Sequence, residues 1–188
     1  MATLPEDVKE FIANLMLEGF DSVHEMIACA NEFASEFHDR DFSNEINATV
    51  AELLAEQLGR QAEWKSPTDC ERLDAAFAAL NCQGIVARQN FSCCNNCGFT
   101  EIWDEVEEAE KSQIVTGYVF YHLQCTARAI KTGQLLMAYA SIDDDLNSLN
   151  RVVSTIVTEL RNSGLPASWA GILGHPIVID GIAWQRRR

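Results

Sequence analysis

Residues 84–98 read GIVARQNFSCCNNCG, and the rest of the chain is read outward from them. Gly84–Arg88 is short and β-rich. Cys93, Cys94 and Cys97 follow, three of the chain's seven cysteines within five residues. An acidic run with helical spacing, TEIWDEVEEAEK at 100–111, comes next. The expected local structure is therefore strand, cysteine turn, helix. Before this stretch the apolar residues recur only at helical spacing; after it, strand-like and helix-like runs alternate.

Upstream, four amphipathic helices are expected. Val8, Phe11, Ile12, Leu15 and Met16 share one face, preceded by a capping-box pattern at Thr3 and Glu6 and closed by Gly19. Ser22 and Glu25 form a second box ahead of Met26, Ile27, Ala30, Phe33, Ala34 and Phe37. Ser43 can cap a third helix carrying Ile46, Val50, Leu53, Leu54 and Leu58. Thr68 and Glu71 open a fourth with Leu73, Phe77 and Leu80 inward. Capped helices in series form a small bundle. Cys29, Cys70 and Cys82 lie in or beside these helices and read as small buried apolar residues.

Downstream, 114–121 (IVTGYVFY) and 134–140 (QLLMAYA) are nearly continuous apolar runs, as expected of strands covered on both faces. Helices are expected at 100–111, 123–131 and 145–163, and further strands at 167–170 and 176–184. The pattern predicts a mixed α+β (α/β) fold: an N-terminal helical region, residues 1–66, then an α/β domain, residues 67–188. The second part holds a mixed, mainly parallel sheet of about five strands flanked by helices, with a ferredoxin-like topology as the alternative. The closing residues 185–188, QRRR, read as a solvated tail or as a basic segment able to dock on an acidic surface.

Fourteen Lys and Arg against 28 Asp and Glu give a net charge of −14. Such a field repels phosphate backbones, which argues against nucleic acid and favours a basic protein partner. No run is long and apolar enough for a membrane span, and the first residues lack a secretory pattern. An odd number of cysteines without that pattern leads us to expect a reducing, cytoplasmic setting.

A C-x-x-C between strand and helix permits thiol–disulfide exchange or binding of a soft metal such as zinc. Glu101, Asp104, Glu105, Glu107, Glu108 and Glu110 are expected to oppose thiolate formation and to favour a cation. His122, after the next strand, is the candidate fourth ligand if the two strands are parallel, with Cys125 three residues on. Asp143, Asp144 and Asp145 would then join the same edge, or simply cap a helix. Cys93, Cys94, Cys97 and His122 are thus the candidate metal ligands. A purely structural cysteine turn is the plain alternative.

No phosphate-binding glycine loop, G-x-S-x-G elbow or H-E-x-x-H helix is present, so no catalytic set is assigned. Three functions compete: a non-enzymatic interaction protein, a metal-binding protein, and a thiol–disulfide oxidoreductase using Cys94 and Cys97. Several segments resemble a bacterial family of unknown function: RLDAAFAAL at 72–80, GIVARQNFSCCNNCG at 84–98 and GYVFYH at 117–122. The GLP turn at 164–166 and WQRR at 184–187 resemble it too. The likeness covers residues 68–188, with the upstream helices as a looser extension, and the family pattern has an acid where this chain has Cys125. The resemblance implies a bacterial, cytoplasmic origin and assigns no activity.

Overall fold

The structure, a computed structural model, describes residues 3–143 and 145–188. Among these residues there are seven helices and five strands, in two compact units. The first unit comprises Met1–Lys65 together with Gln185–Arg188, the second Ser66–Trp184.

In the first unit, α1 (Glu6–Glu18), α2 (Val23–Phe37) and α3 (Ser43–Ala62) pack pairwise. Most of their expected apolar faces form one core, in which Val8, Ile12, Met26, Ala30 and Ile46 are wholly buried. Phe37 and Leu58, toward the helix ends, are exposed, and Phe42 rather than Ser43 is the N-cap of α3. Ser22 and Glu25 make the expected capping box. Pro5, rather than Thr3, is the N-cap of α1, with no side-chain cap. The basic tail is not solvated. Arg188 donates to the carbonyls of Asp21 (2.6 Å) and Leu15 (3.0 Å), and Arg187 to those of Gln61 and Trp64 (both 2.8 Å). Leu15 and Gln61 lie in the last turns of α1 and α3, where the negative end of the helix dipole attracts guanidinium groups, while Asp21 and Trp64 lie outside the helices.

In the second unit, α4 (Asp69–Cys82) begins at the expected capping box of Thr68 and Glu71. After it come β1 (Ile85–Arg88), α5 (Asn95–Glu110), β2 (Gly117–Phe120), α6 (Leu123–Thr132), β3 (Gln134–Ser141), α7 (Leu146–Asn162), β4 (Ala167–Ser168) and β5 (Ile177–Asp180). Spatial order is β1-β2-β3-β5-β4. The mixed α+β class is as expected, but the strand directions are not mainly parallel. β1 and β2 are parallel; β2–β3, β3–β5 and β5–β4 are antiparallel. A strand buried on both faces is an apolar run whichever way it points, so its pattern carries no direction. Adjacent parallel β1 and β2 also exclude the ferredoxin-like alternative, whose first two strands are not neighbours. The long β3 joins two half-sheets: Gln134–Met137 pairs with β5, and Ala138–Ser141 with β2.

The two sheet faces follow the strand period of two. Val86, Tyr118 and Phe120 face Ile102 and Val106 of α5. On the other face Tyr121 meets Phe77 of α4 edge-to-face, and Gly117 lies against Val152 of α7. Cys70 is buried as expected, Cys29 is half-buried, and Cys82, at the end of α4, is exposed.

β1 is an edge strand whose outward backbone groups need partners. Asn81 supplies them: its Oδ1 accepts from Ala87 N–H (3.1 Å), and its Nδ2 donates to Ala87 O (3.1 Å) and Phe77 O (2.8 Å). Arg88 Nη1 donates to the same Oδ1 at 2.9 Å. The side chain thus mimics a neighbouring strand and closes the edge. Asn81→Ala should destabilise the second unit by about 2 kcal/mol, since it leaves part-buried backbone groups unpaired. Denaturant unfolding checks this, and an effect within experimental error would contradict it.

Candidate functional site

Parallel pairing of β1 and β2, with Ile85 opposite Gly117 and Arg88 opposite Phe120, brings the segments after both strands to one edge. Backbone bonds then stitch those segments together. Phe91 N–H donates to Tyr121 O (2.8 Å), and Leu123 N–H to Ser92 O (3.2 Å). Thr126 Oγ1 donates to Asn90 Oδ1 at 2.6 Å. Asn90 (φ 49°) and Ser92 (φ 63°) take left-handed conformations to make this loop. Ser is an unusual residue there, and the conformation costs on the order of 1 kcal/mol, offset by the stitching.

Helix α5 starts at Asn95, five residues before the expected start, so the cysteine turn is the first turn of the helix. Cys94 is its N-cap in extended conformation, and Gly98 N–H donates to Cys94 O at 2.9 Å. Gly98 is required for packing: a Cβ there would lie 2.4 Å from Phe120 Cε2. That close approach lowers the start of α5 onto β2, where Phe99 meets Phe120 edge-to-face at 5.3 Å.

The sulfur atoms of Cys93, Cys94 and Cys97 all lie within 4.8 Å of one another. Cys93 is exposed; Cys94 and Cys97 are half-buried. The backbone N–H of Cys97, then the Cys97 and Cys93 thiols, hydrogen-bond to Cys94 and hold its pKa below the ordinary thiol value. The Cys93 and Cys94 sulfurs push Cys97 up to about 11. Cys94 is therefore the more acidic and Cys97 the less acidic of two interacting thiols. The carboxylates of α5 do not figure among the causes of either shift, contrary to the expected opposition. Glu105 is engaged by Arg88, whose Nε and Nη2 both lie 2.8 Å from Glu105 Oε2.

His122 is at the same edge but is not part of the thiol group. It is the N-cap of α6, only 6% exposed, and its Nε2 lies 3.3 Å from Cys125 Sγ. Burial lowers the His122 pKa, which keeps the imidazole neutral, and raises that of Cys125. The structure thus unites three of the four expected ligands and pairs the fourth with a different sulfur. Asp143 and Asp145, after β3, are elsewhere. Because β3 is antiparallel to β2, Ser141 lies opposite Gly117, at the far end of β2 from His122. Asp145 caps α7, accepting from Ser148 N–H at 2.9 Å. Asp144 lies outside the described residues.

Beside the thiol turn is a cavity of about 520 Å³, to which Asn95 and Phe99 of α5, His122 and Cys125 of the α6 start, Tyr139 of β3 and His175 contribute. Sequence reading missed it. Its lining comes from five separate segments, and no local spacing relates them.

Residues 2–188 match the domain of unknown function DUF6891. The chain belongs to this family. The match includes the N-terminal helices, which are thus part of the DUF6891 domain rather than a loose extension. No curated protein and no solved structure matches the chain. Among the described residues, no helix is long and apolar enough to cross a membrane.

Gly98→Ala tests how the thiol turn is positioned. The added methyl must displace the Phe120 ring or lift α5, so a loss of about 1–3 kcal/mol is expected. The spread of reactivity between Cys94 and Cys97 toward iodoacetamide should narrow with it. A variant as stable as the parent, with unchanged thiol reactivities, would contradict this account of the helix start.

Proposed function

We propose that this DUF6891 protein is a non-enzymatic binding protein for a thiophilic metal ion, zinc(II) in the first instance, held by Cys93, Cys94 and Cys97. The supporting observation is the mutual approach of three sulfurs within 4.8 Å on a partly exposed helix start. A zinc ion held by thiolates takes about 2.3 Å to each sulfur and completes a tetrahedron with a fourth donor. That donor comes from solvent or from a bound partner, as His122 is occupied by Cys125. All seven cysteines are free thiols, which supports a reducing compartment such as the cytosol. The net charge of −14 supports a basic protein as partner.

Metal and protons compete for the same sulfurs, and Cys97 holds its proton up to about pH 11 when no ion is present. Zinc affinity should accordingly rise with pH across the neutral range, with protons released on binding. Elemental analysis after zinc supplementation should find about one equivalent, reduced at least tenfold in Cys94→Ser. Less than about a tenth of an equivalent in the parent protein rules the reading out.

One observation favours a second reading, thiol–disulfide exchange. Cys94 is the more acidic thiol and Cys97 the less acidic, the division expected of an attacking and a resolving sulfur. In that case alkylation of Cys94 should be half-maximal at a pH below the ordinary thiol value of 9.0, with Cys97 reacting only at higher pH. Mild oxidation should give a Cys94–Cys97 disulfide, seen by peptide mass mapping. If both thiols titrate at or above the ordinary value, the exchange reading fails.

A further inference from the structure

The cavity beside the thiol turn forms where β3 passes from pairing with β5 to pairing with β2. Phe99, Leu136, Tyr139, Leu149 and Pro176 give it apolar walls. A volume near 520 Å³ is within the range of small-molecule sites. None of the three clustered cysteines lines it, so a ligand held in this space is independent of the metal reading.

Its polar lining is mixed, with Asn95 and Gln124, the Tyr139 phenol, His122 and His175, and a single fixed charge, Arg128. The protein carries 28 Asp and Glu residues, yet no carboxylate is among the described residues lining this space. Arg128, His122 and His175 do line it. Arg128 directs Nε and Nη2 to Gln134 Oε1, which fixes the plane of the guanidinium at the cavity wall. In a chain of net charge −14, an apolar cavity with a guanidinium, two imidazoles and no acid suits an anion.

His122 adds a second, separate sign of a ligand. Its Nδ1 is buried and has no hydrogen-bond partner among the described residues. Nε2 and the Cys125 thiol share a hydrogen bond, and in the tautomer in which the thiol donates, Nδ1 bears the proton and is a donor without an acceptor. A buried polar nitrogen left unpaired is rare in folded proteins and costs about 1–3 kcal/mol, which a turn of the ring toward an oxygen of a bound molecule would relieve.

We propose that this cavity binds a small amphiphilic carboxylate, with its apolar or aromatic body against Phe99, Leu136 and Tyr139, its carboxylate on Arg128, and a second oxygen within reach of His122 Nδ1. Charge selects the ligand and the apolar walls retain it.

Isothermal titration calorimetry with 3-(4-hydroxyphenyl)propionate and with octanoate tests the assignment, each set against its uncharged amide. At least one acid should bind saturably at one to one, and its amide at least about ten-fold more weakly. Arg128→Gln, at an exposed position outside the core, should lower affinity by a similar factor. Ala138→Phe, which fills the cavity, should abolish binding. Should that variant fail to fold, Arg128→Gln together with His122 ring resonances that shift on titration of the parent protein decides. No saturable binding of either acid up to about 1 mM, equal affinity for acid and amide, or binding unaffected by Arg128→Gln would each overturn the proposal.

Discussion

Parallel pairing of β1 with β2 is the constraint on which the site region depends. It makes both strands end at one edge, and the loop after β1 is then bonded directly to the chain after β2 by Phe91 N–H to Tyr121 O and Leu123 N–H to Ser92 O. The starts of α5 and α6 are thereby fixed side by side. One carries thiols at its N-cap and first turn with a third just before it, the other a buried imidazole and thiol. Without the pairing, neither helix start would have a defined neighbour. The edge position of β1 makes it vulnerable, and Asn81 compensates by occupying the open side of Ala87.

A second constraint is steric. Aromatic side chains crowd the face beneath α5: Phe91, Phe99, Trp103 and Tyr118 all stand around Phe120 or one another at edge-to-face angles. Phe120, Tyr118 and Phe99 resist displacement because each is held by more than one other ring. Gly98 is the point where the helix backbone rests directly on Phe120, and the cysteine turn is therefore held from below by packing. Holding thiols by packing leaves their sulfurs free to face each other rather than to fill the core, which separates Cys94 and Cys97 from the buried Cys70.

Local pattern and tertiary contact divided the site unevenly. The C-x-x-C and its flanking strand were legible because they are contiguous. The shared edge with His122 was legible too, given only that β1 and β2 run the same way. Two things were not. The acidic residues of α5 looked close to the thiols in sequence, but the helix starts at Asn95 and carries them one or more turns onward, with Glu105 taken up by Arg88. His122 looked like a fourth ligand, but its nearest sulfur is Cys125, three residues along the same helix start, where the ring reaches it without leaving the helix.

By itself the sequence determined the helices, because 3.6-residue apolar spacing and the boxes at Ser22 and Thr68 act within a few residues. It also determined the class of the fold and the closeness of three sulfurs. Strand direction, the position of β3 between two half-sheets, the docking of the Arg187 and Arg188 side chains on backbone carbonyls, and the cavity were decided only by tertiary structure. The reason is physical: burial fixes which residues turn inward, but an apolar strand satisfies that demand in either direction. Which segments meet is then chosen by hydrogen bonds and packing between residues far apart in the chain.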